Sequence, residues 1–318
     1  MKWLFISGAP WGATAGGQRY EQLVKALQLL GEDAFFFCPY SQYPPSPFAP
    51  KELSYDVLVI GFPHPLCLSL PFSASLTIYD VCDFWEGDMG INADVSLVHR
   101  TLCKKVDALV ATSSTLAFYL HANYPTKPLA VIPNALRIDF PVVKAQRGIE
   151  PVVAFWGSWY TGQNWWDFQA IAYAAEKLSH LKFLIFGASD RPFPAQLPLN
   201  VHVETTWWGV SIQHIVSQIQ PPFVGIVPYC KANKVCLCAD PIKNYEYLKL
   251  NGVVVATNCC PMFTPVSHVI LLFGETKELL PTAIEKAVEL ACTAGKPPVV
   301  PTFVDRAQQY INFVRQLR

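Results

Sequence analysis

Short apolar runs closed by Gly, Pro or Asp recur along this chain in two series, and that punctuation limits the fold more than any other feature. "KWLFISG", "AFFFCP", "DVLVIGF", "LTIYDV", "ALVATS" and "AVIPN" read as buried strands. Between the first two, "QRYEQLVKALQLLG" puts Tyr20, Leu23, Leu27 and Leu30 on one helical face, with Gly31 as the stop. Strands alternating with helices predict a doubly wound, mostly parallel sheet that ends near Asn134. Residues 136–151 have mixed charge and no sustained period, and "PVVAFWGS" then restarts the alternation. The second series runs through "KFLIFGA", "NVHVET" and "FVGIVPY" to "ELLPTAIEKAVELACTAG". A last helix carries Phe303, Ala307, Tyr310 and Val314 on one stripe. The expected division is residues 1–147, residues 148–300, and a terminal helix, 301–318, that packs back on the first domain.

Length and composition agree with two α/β domains. The chain has 318 residues, 52% apolar and 15% charged, enough to bury two cores. Its 24 basic and 24 acidic residues balance, so it shows no electrostatic footprint for nucleic acid. The start "MKWLFISGAPWG" has too short an apolar run for a signal peptide. Ten cysteines in a chain of this length are expected in a reducing cytoplasm, and the cluster Cys230, Cys236, Cys238, Cys259 and Cys260 is expected to be buried thiols, because no C-x-x-C pair occurs and C-x-C with C-C suits a tetrahedral metal site poorly. No apolar segment approaches the roughly 20 residues that cross a bilayer. A soluble protein is expected, with a place at the inner face of a membrane left open.

The densest chemical signal is "CADPIKNYEYLKLNGVVVAT", residues 238 to 257. Asp240 and Pro241 read as a helix start, with Asp240 as the cap; Asn251-Gly252 reads as its stop, and the run from Val253 as a buried strand. Lys243 and Glu246 then share one face near the positive end of the helix dipole, which suits an anion. The structural alternative is a solvated pair worth a few tenths of a kcal/mol. Ligands of open α/β sheets bind beyond the carboxyl ends of the strands, which selects Gly157 and Ser158, Gly187, Trp208 and Gly209, Tyr229, and the helix start with Asp240, Pro241 and Ile242. In the first series, "GAPWGATAGGQRY" has neither G-x-G-x-x-G nor a P-loop ending, and Arg19 stands where Ser or Thr would ligate magnesium. Gly16 and Gly17 still offer N–H groups to an anion at the helix start, and Arg19 is expected with them in this phosphate or acceptor loop.

The Gly-Gly loop, "VATSSTLAFYL" followed by "VIPNAL", "NVHVETTWWG", and P-x-K-x-x-E-Y-L-x-x-x-G-x-V-V-A-T from Pro241 to Thr257 resemble the GT-B nucleotide-sugar glycosyltransferases. The likeness is greatest to bacterial group 1 enzymes that build polysaccharides. It implies two Rossmann-like halves facing across a cleft, the second holding a nucleotide sugar, expected to be a UDP-sugar, and the first a glycan or lipid-linked acceptor. It also implies that Glu246 holds the ribose hydroxyls while Lys243 and the helix N–H groups meet the diphosphate. No metal is implied, since the D-x-D motif of another glycosyltransferase fold is absent.

The chain departs from the resembled pattern in two places. Cys238 stands where retaining members carry a first Glu, with Asp240 two residues later as a substitute. Gln163 and Asn164 replace the usual Arg and Lys pair, so diphosphate neutralisation falls to Lys243, Lys231, Lys234 or helix termini. An inverting reaction needs a base to take the acceptor proton. "YDVCDFWEGD" offers Asp83 first and Asp80 second, with Glu86 and Asp88 beyond, and "GFPHPL" offers His64. Trp208 is expected beside the base and Trp159 lining the cleft. A binding protein that has lost catalysis and a nucleotide-sugar epimerase are the other readings these departures leave open.

Overall fold

A computed structural model describes residues 1–12, 18–39, 46–86, 93–141, 150–160, 164–207, 209–219, 222–259, 268–293 and 295–318. It divides into two compact units, one of residues 1–138, 238–240 and 301–318, the other of residues 139–237 and 241–300. The first contains β1 (Lys2–Ile6), α1 (Gln18–Leu29), β2 (Asp33–Phe37), β3 (Ser54–Ile60), β4 (Ser73–Val81), α2 (Ala93–Lys105), β5 (Ala108–Ala111), α3 (Ser114–Asn123) and β6 (Leu129–Val131). The second contains β7 (Val152–Trp159), α4 (Phe168–Lys177), β8 (Lys182–Ser189), β9 (Val201–Thr206), α5 (Ile212–Gln218), β10 (Phe223–Pro228), α6 (Lys234–Cys238), which ends one residue into the first unit, then α7 (Ile242–Lys249), β11 (Val253–Thr257), β12 (Val269–Leu272) and α8 (Thr276–Thr293). A terminal helix, α9 (Phe303–Leu317), belongs to the first unit and packs on α1.

Each unit is built on a six-stranded sheet, in the order β2-β1-β3-β4-β5-β6 and β12-β11-β10-β7-β8-β9, with parallel pairing throughout. Both have the doubly wound order, in which the chain winds outward from a central strand and then reverses. The reversal lies between β1 and β3 in the first unit and between β7 and β10 in the second. Parallel strands covered on both faces must be apolar throughout, and β5, β10 and β11 are buried at every position. The α9 stripe is buried completely, with Phe303, Ala307, Tyr310 and Val314 at 0% exposure. Each large apolar side chain so covered is worth about 1.5–3 kcal/mol, which anchors this helix in the first core. No helix among the described residues is long and apolar enough to cross a membrane.

The α7–β11 unit forms where the sequence places it, but its ends are made differently. The helix begins one residue later than expected, with Pro241 as the N-cap and no side-chain cap bond. The Asp240 carboxylate instead accepts the backbone N–H of Asn134 at 2.8 Å, while the Asn134 amide donates to the Asp240 carbonyl at 2.6 Å. A tertiary partner within the first unit has taken the acceptor that the local pattern assigned to the helix. At the other end Asn251 alone turns left-handed, with φ 61°. Gly252 serves packing: a Cβ there would lie 2.3 Å from the Phe223 ring.

Candidate functional site

The reversal between β7 and β10 gathers most of the second unit's sequence-selected residues. β7 ends in Gly157, Ser158 and Trp159, and β10 is followed by Tyr229. The loop after β7 returns so that Trp166 bridges Tyr229, and their rings stack with centroids 4.6 Å apart and planes 11° from parallel. The Trp166 indole donates to the Ser158 carbonyl at 2.8 Å, which fixes the loop to the strand end. Across this platform lies the Lys243 ammonium, 3.9 Å from the Trp166 ring centroid and 4.7 Å from that of Phe155. Aromatic faces attract a cation, so the rings hold the amine in place of bulk water. Gly157 makes the approach possible, because a Cβ there would sit 2.7 Å from Lys243 Nζ.

Burial lowers the pKa of Lys243 to about 7, with the Glu246 carboxylate working in the opposite direction. One turn on, Glu246 is 4% exposed and its Oε2 accepts the indole N–H of Trp156 at 2.7 Å. α7 therefore presents a half-buried amine and a buried carboxylate from its first two turns. Ile242, the first residue of the helix, is partly covered.

The other residues selected in this half are placed elsewhere. Gly187 lies within β8 against Trp159, whose ring fills the space a side chain there would need. Trp159 does not line a cleft: it is fully buried among Phe155, Phe168 and Phe193, because it shares the core-facing side of β7 with Phe155. Gly209, with φ 89°, follows the edge strand β9, away from the reversal. Lys231 pairs with Glu275 at 2.6 Å on the surface. The Asn164 side chain accepts from Asn233 at 2.8 Å. Cys238 is buried, and its carbonyl accepts the Ser113 hydroxyl at 2.7 Å. Trp208 and Gln163 lie outside the described residues.

In the first unit Asp80 is fully buried and Arg19 is 4% exposed. Arg19 Nε donates to Asp80 Oδ2 at 2.8 Å, and its other nitrogens donate to the carbonyls of Ile132 and Pro133 and to the Asn134 side chain. Tyr310 of α9 donates to the same Asp80 oxygen at 2.6 Å. Arg19 is thus a buried crosslink of α1, β4 and the segment after β6, in place of the loop-borne anion contact expected of it. Asp80 is the counter-charge of that crosslink. Gly16, Gly17 and Asp88 lie outside the described residues.

Asp83 follows β4 and is half-buried; its Oδ2 accepts the Cys82 thiol at 3.4 Å, and burial raises its pKa. Glu86 accepts from Tyr119 and, at 2.9 Å, from Arg100. His64 caps the short 3₁₀ turn at Pro65–Leu68, with Nδ1 accepting the Leu66 N–H at 3.2 Å, so in the neutral ring the proton sits on Nε2.

Neither Trp156 nor Trp166 is among the residues that the sequence selects. Trp156 sits inside an apolar run that reads as core, and the only signal for it is that a buried indole N–H requires an acceptor. Trp166 is carried by a loop whose return path has no local signature.

No protein-family model matches the chain, and the search of curated proteins returns no match. Solved structures do match over its length. A sucrose-phosphate synthase from Thermosynechococcus elongatus superposes with a TM-score of 0.67 at 15% identity, covering 100% of this chain and 97% of that one. The catalytic domain of starch synthase IV from Arabidopsis thaliana, bound to ADP and acarbose, gives 0.61 at 9% identity over 100% and 99%. A glycosyltransferase from Rickettsia africae ESF-5 gives 0.55 at 11% identity over 99% and 98%. With two doubly wound parallel sheets and full-length correspondence to these structures, the chain has the GT-B fold.

Proposed function

We propose that the chain is a glycosyltransferase that moves a sugar from a nucleoside diphosphate, a UDP-sugar in the first instance, to a hydroxyl of a glycan or lipid-linked acceptor in polysaccharide biosynthesis. The observation that carries this reading is the pairing of Lys243 and Glu246 on the first two turns of α7, beside Gly157 at the reversal of the second sheet. The fold supports it, and one of its structural neighbours is bound to a nucleoside diphosphate. In this reading Glu246 accepts from the ribose hydroxyls. Lys243 and the N–H groups opening α7 meet the diphosphate, with Gly157 and Ser158 alongside. As the bond between the anomeric carbon and the phosphate oxygen breaks, negative charge grows on the leaving diphosphate, and a cation already in place stabilises it without reorganisation.

The acceptor oxygen forms the new bond to the anomeric carbon and gives up its proton. Asp83 is the first candidate to receive it, since a raised carboxylate pKa brings a base closer to the working pH. His64 is the second. No metal takes part in this scheme. The described cysteines are thiols, with Cys82 and Cys230 half-buried and Cys292 exposed, which suits a reducing cytoplasm.

Thermal melting tests the donor site. UDP, ADP or GDP at a hundred times its dissociation constant stabilises a binding-competent chain by about 2.7 kcal/mol. The expected result is a rise in Tm with at least one of them that Glu246→Ala abolishes; no rise with any of the three overturns the reading. A second reading, a binding protein without catalysis, is favoured by the buried thiol at Cys238 in the position where the resembled enzymes carry a carboxylate. Sugar release from, or transfer by, a panel of nucleotide sugars decides against it.

A further inference from the structure

Trp156 and Glu246 meet at 2.7 Å, an indole 6% exposed against a carboxylate 4% exposed. A buried carboxylate is costly unless a donor satisfies it, and a buried indole N–H needs an acceptor, so each group answers the other's requirement. If stability alone were at issue, an apolar pair of similar volume would serve as well or better, because the desolvation of a charge would disappear. The chain keeps the charge and surrounds it with restraint.

Trp156 grips the next residue of α7 as well. Its backbone N–H donates to the Tyr247 hydroxyl at 3.3 Å, and the two rings meet edge to face with centroids 4.2 Å apart. Tyr247 in turn donates to the Ile226 carbonyl of β10 at 3.2 Å. One residue of β7 therefore sets the register of α7 against the strands on either side of the reversal, and also holds one oxygen of the Glu246 carboxylate. Reading two neighbouring hydroxyls requires a carboxylate plane held to within a fraction of an ångström.

We propose that Trp156 is a positioning residue of the donor site: its indole N–H holds Glu246 in the orientation that reads the ribose, making the site selective for ribonucleoside over 2′-deoxyribonucleoside diphosphates. This rests on the assignment of Glu246 to the ribose made above.

The test compares dissociation constants for UDP and 2′-deoxy-UDP, with ADP and 2′-deoxy-ADP in parallel, in four chains: wild type, Glu246→Ala, Trp156→Phe, and a chain with 3-benzothienylalanine at position 156. The last replaces the indole N–H by sulfur at nearly constant ring size, so the packing against Tyr247 survives. Wild type is expected to prefer the ribonucleotide. The benzothienyl chain is expected to lose about tenfold in affinity for the ribonucleotide, the scale of one hydrogen bond to a charged group, and clearly less for the deoxy form, which offers Glu246 only the 3′ hydroxyl. Trp156→Phe should lose the same preference even if it melts earlier. Should Glu246→Ala erase the preference while the benzothienyl chain keeps it, or should that chain lose both ligands equally, Trp156 is a packing residue only and the inference fails alone. A preference that survives Glu246→Ala, or a wild type that binds none of the four nucleotides, removes the assignment of Glu246 and the inference with it.

Discussion

Each unit brings a cation and a carboxylate together, and the two do opposite things with them. In the first, Arg19 of α1 and Asp80 of β4 spend their charges on each other, 2.8 Å apart, 4% and 0% exposed, with backbone carbonyls and Tyr310 taking the remaining capacity. In the second, Lys243 rests on the faces of Trp166 and Phe155, and Glu246 is held by an indole. Rings and a neutral N–H steady a charge without cancelling it. The first arrangement is a rivet; the second is the one on which the proposed donor site rests.

The contrast fails first if the rivet is dispensable. Removing one partner of a buried pair leaves the other charge uncompensated and costs about 3–5 kcal/mol. Asp80→Asn is therefore expected to lower unfolding free energy by that amount in a urea titration, and Arg19→Met combined with Asp80→Leu to recover much of the loss. An Asp80→Asn chain as stable as wild type would place Asp80 back among the candidates for chemistry.

A smaller effect is expected at Gly157. The new methyl of Gly157→Ala would lie 2.7 Å from the Lys243 amine, which can swing aside, and 3.1 Å from the buried Phe155 ring, which must give slightly, so a loss of about 1 kcal/mol is expected. Displacing the amine should nevertheless weaken nucleoside diphosphate binding about tenfold, as expected for one charge-assisted contact. Unchanged affinity in calorimetry would separate Lys243 from the diphosphate.

The last effect is a slope in pH. Lys243 has a pKa of about 7 in the folded chain against an ordinary value of 10.5, so between those pH values the unfolded chain holds a proton that the folded chain lacks. Stability from this group therefore rises with pH across that window, and below it the charged amine bears the full cost of burial. Lys243→Met should flatten the rise in stability measured by denaturant titration from pH 7 to pH 10. A wild-type profile with no such component would mean that the aromatic box leaves the amine as it is in water.

What was legible in the sequence follows the same division. The two sheets, the strand ends and the α7–β11 unit were all readable, because alternating apolar runs and turn residues act over short stretches. Which charges are consumed was not readable. Asp80 is 61 residues from Arg19 and 230 from Tyr310, and Asp240 meets a backbone N–H 106 residues earlier. No local pattern announces such partners. The tryptophans show the limit most plainly: Trp156 and Trp159 stand three positions apart on one strand, yet one secures a carboxylate and the other fills a core.

The membership of α9 in the first unit bears on how the chain is made. Synthesis runs from the amino end, and units emerging first ordinarily fold first. Here the first sheet can complete its charge network only when Tyr310 reaches Asp80, after the entire second unit has left the ribosome. Until then the apolar surface of α1 that α9 covers is open to water, so the core of the first unit closes only when the last helix arrives.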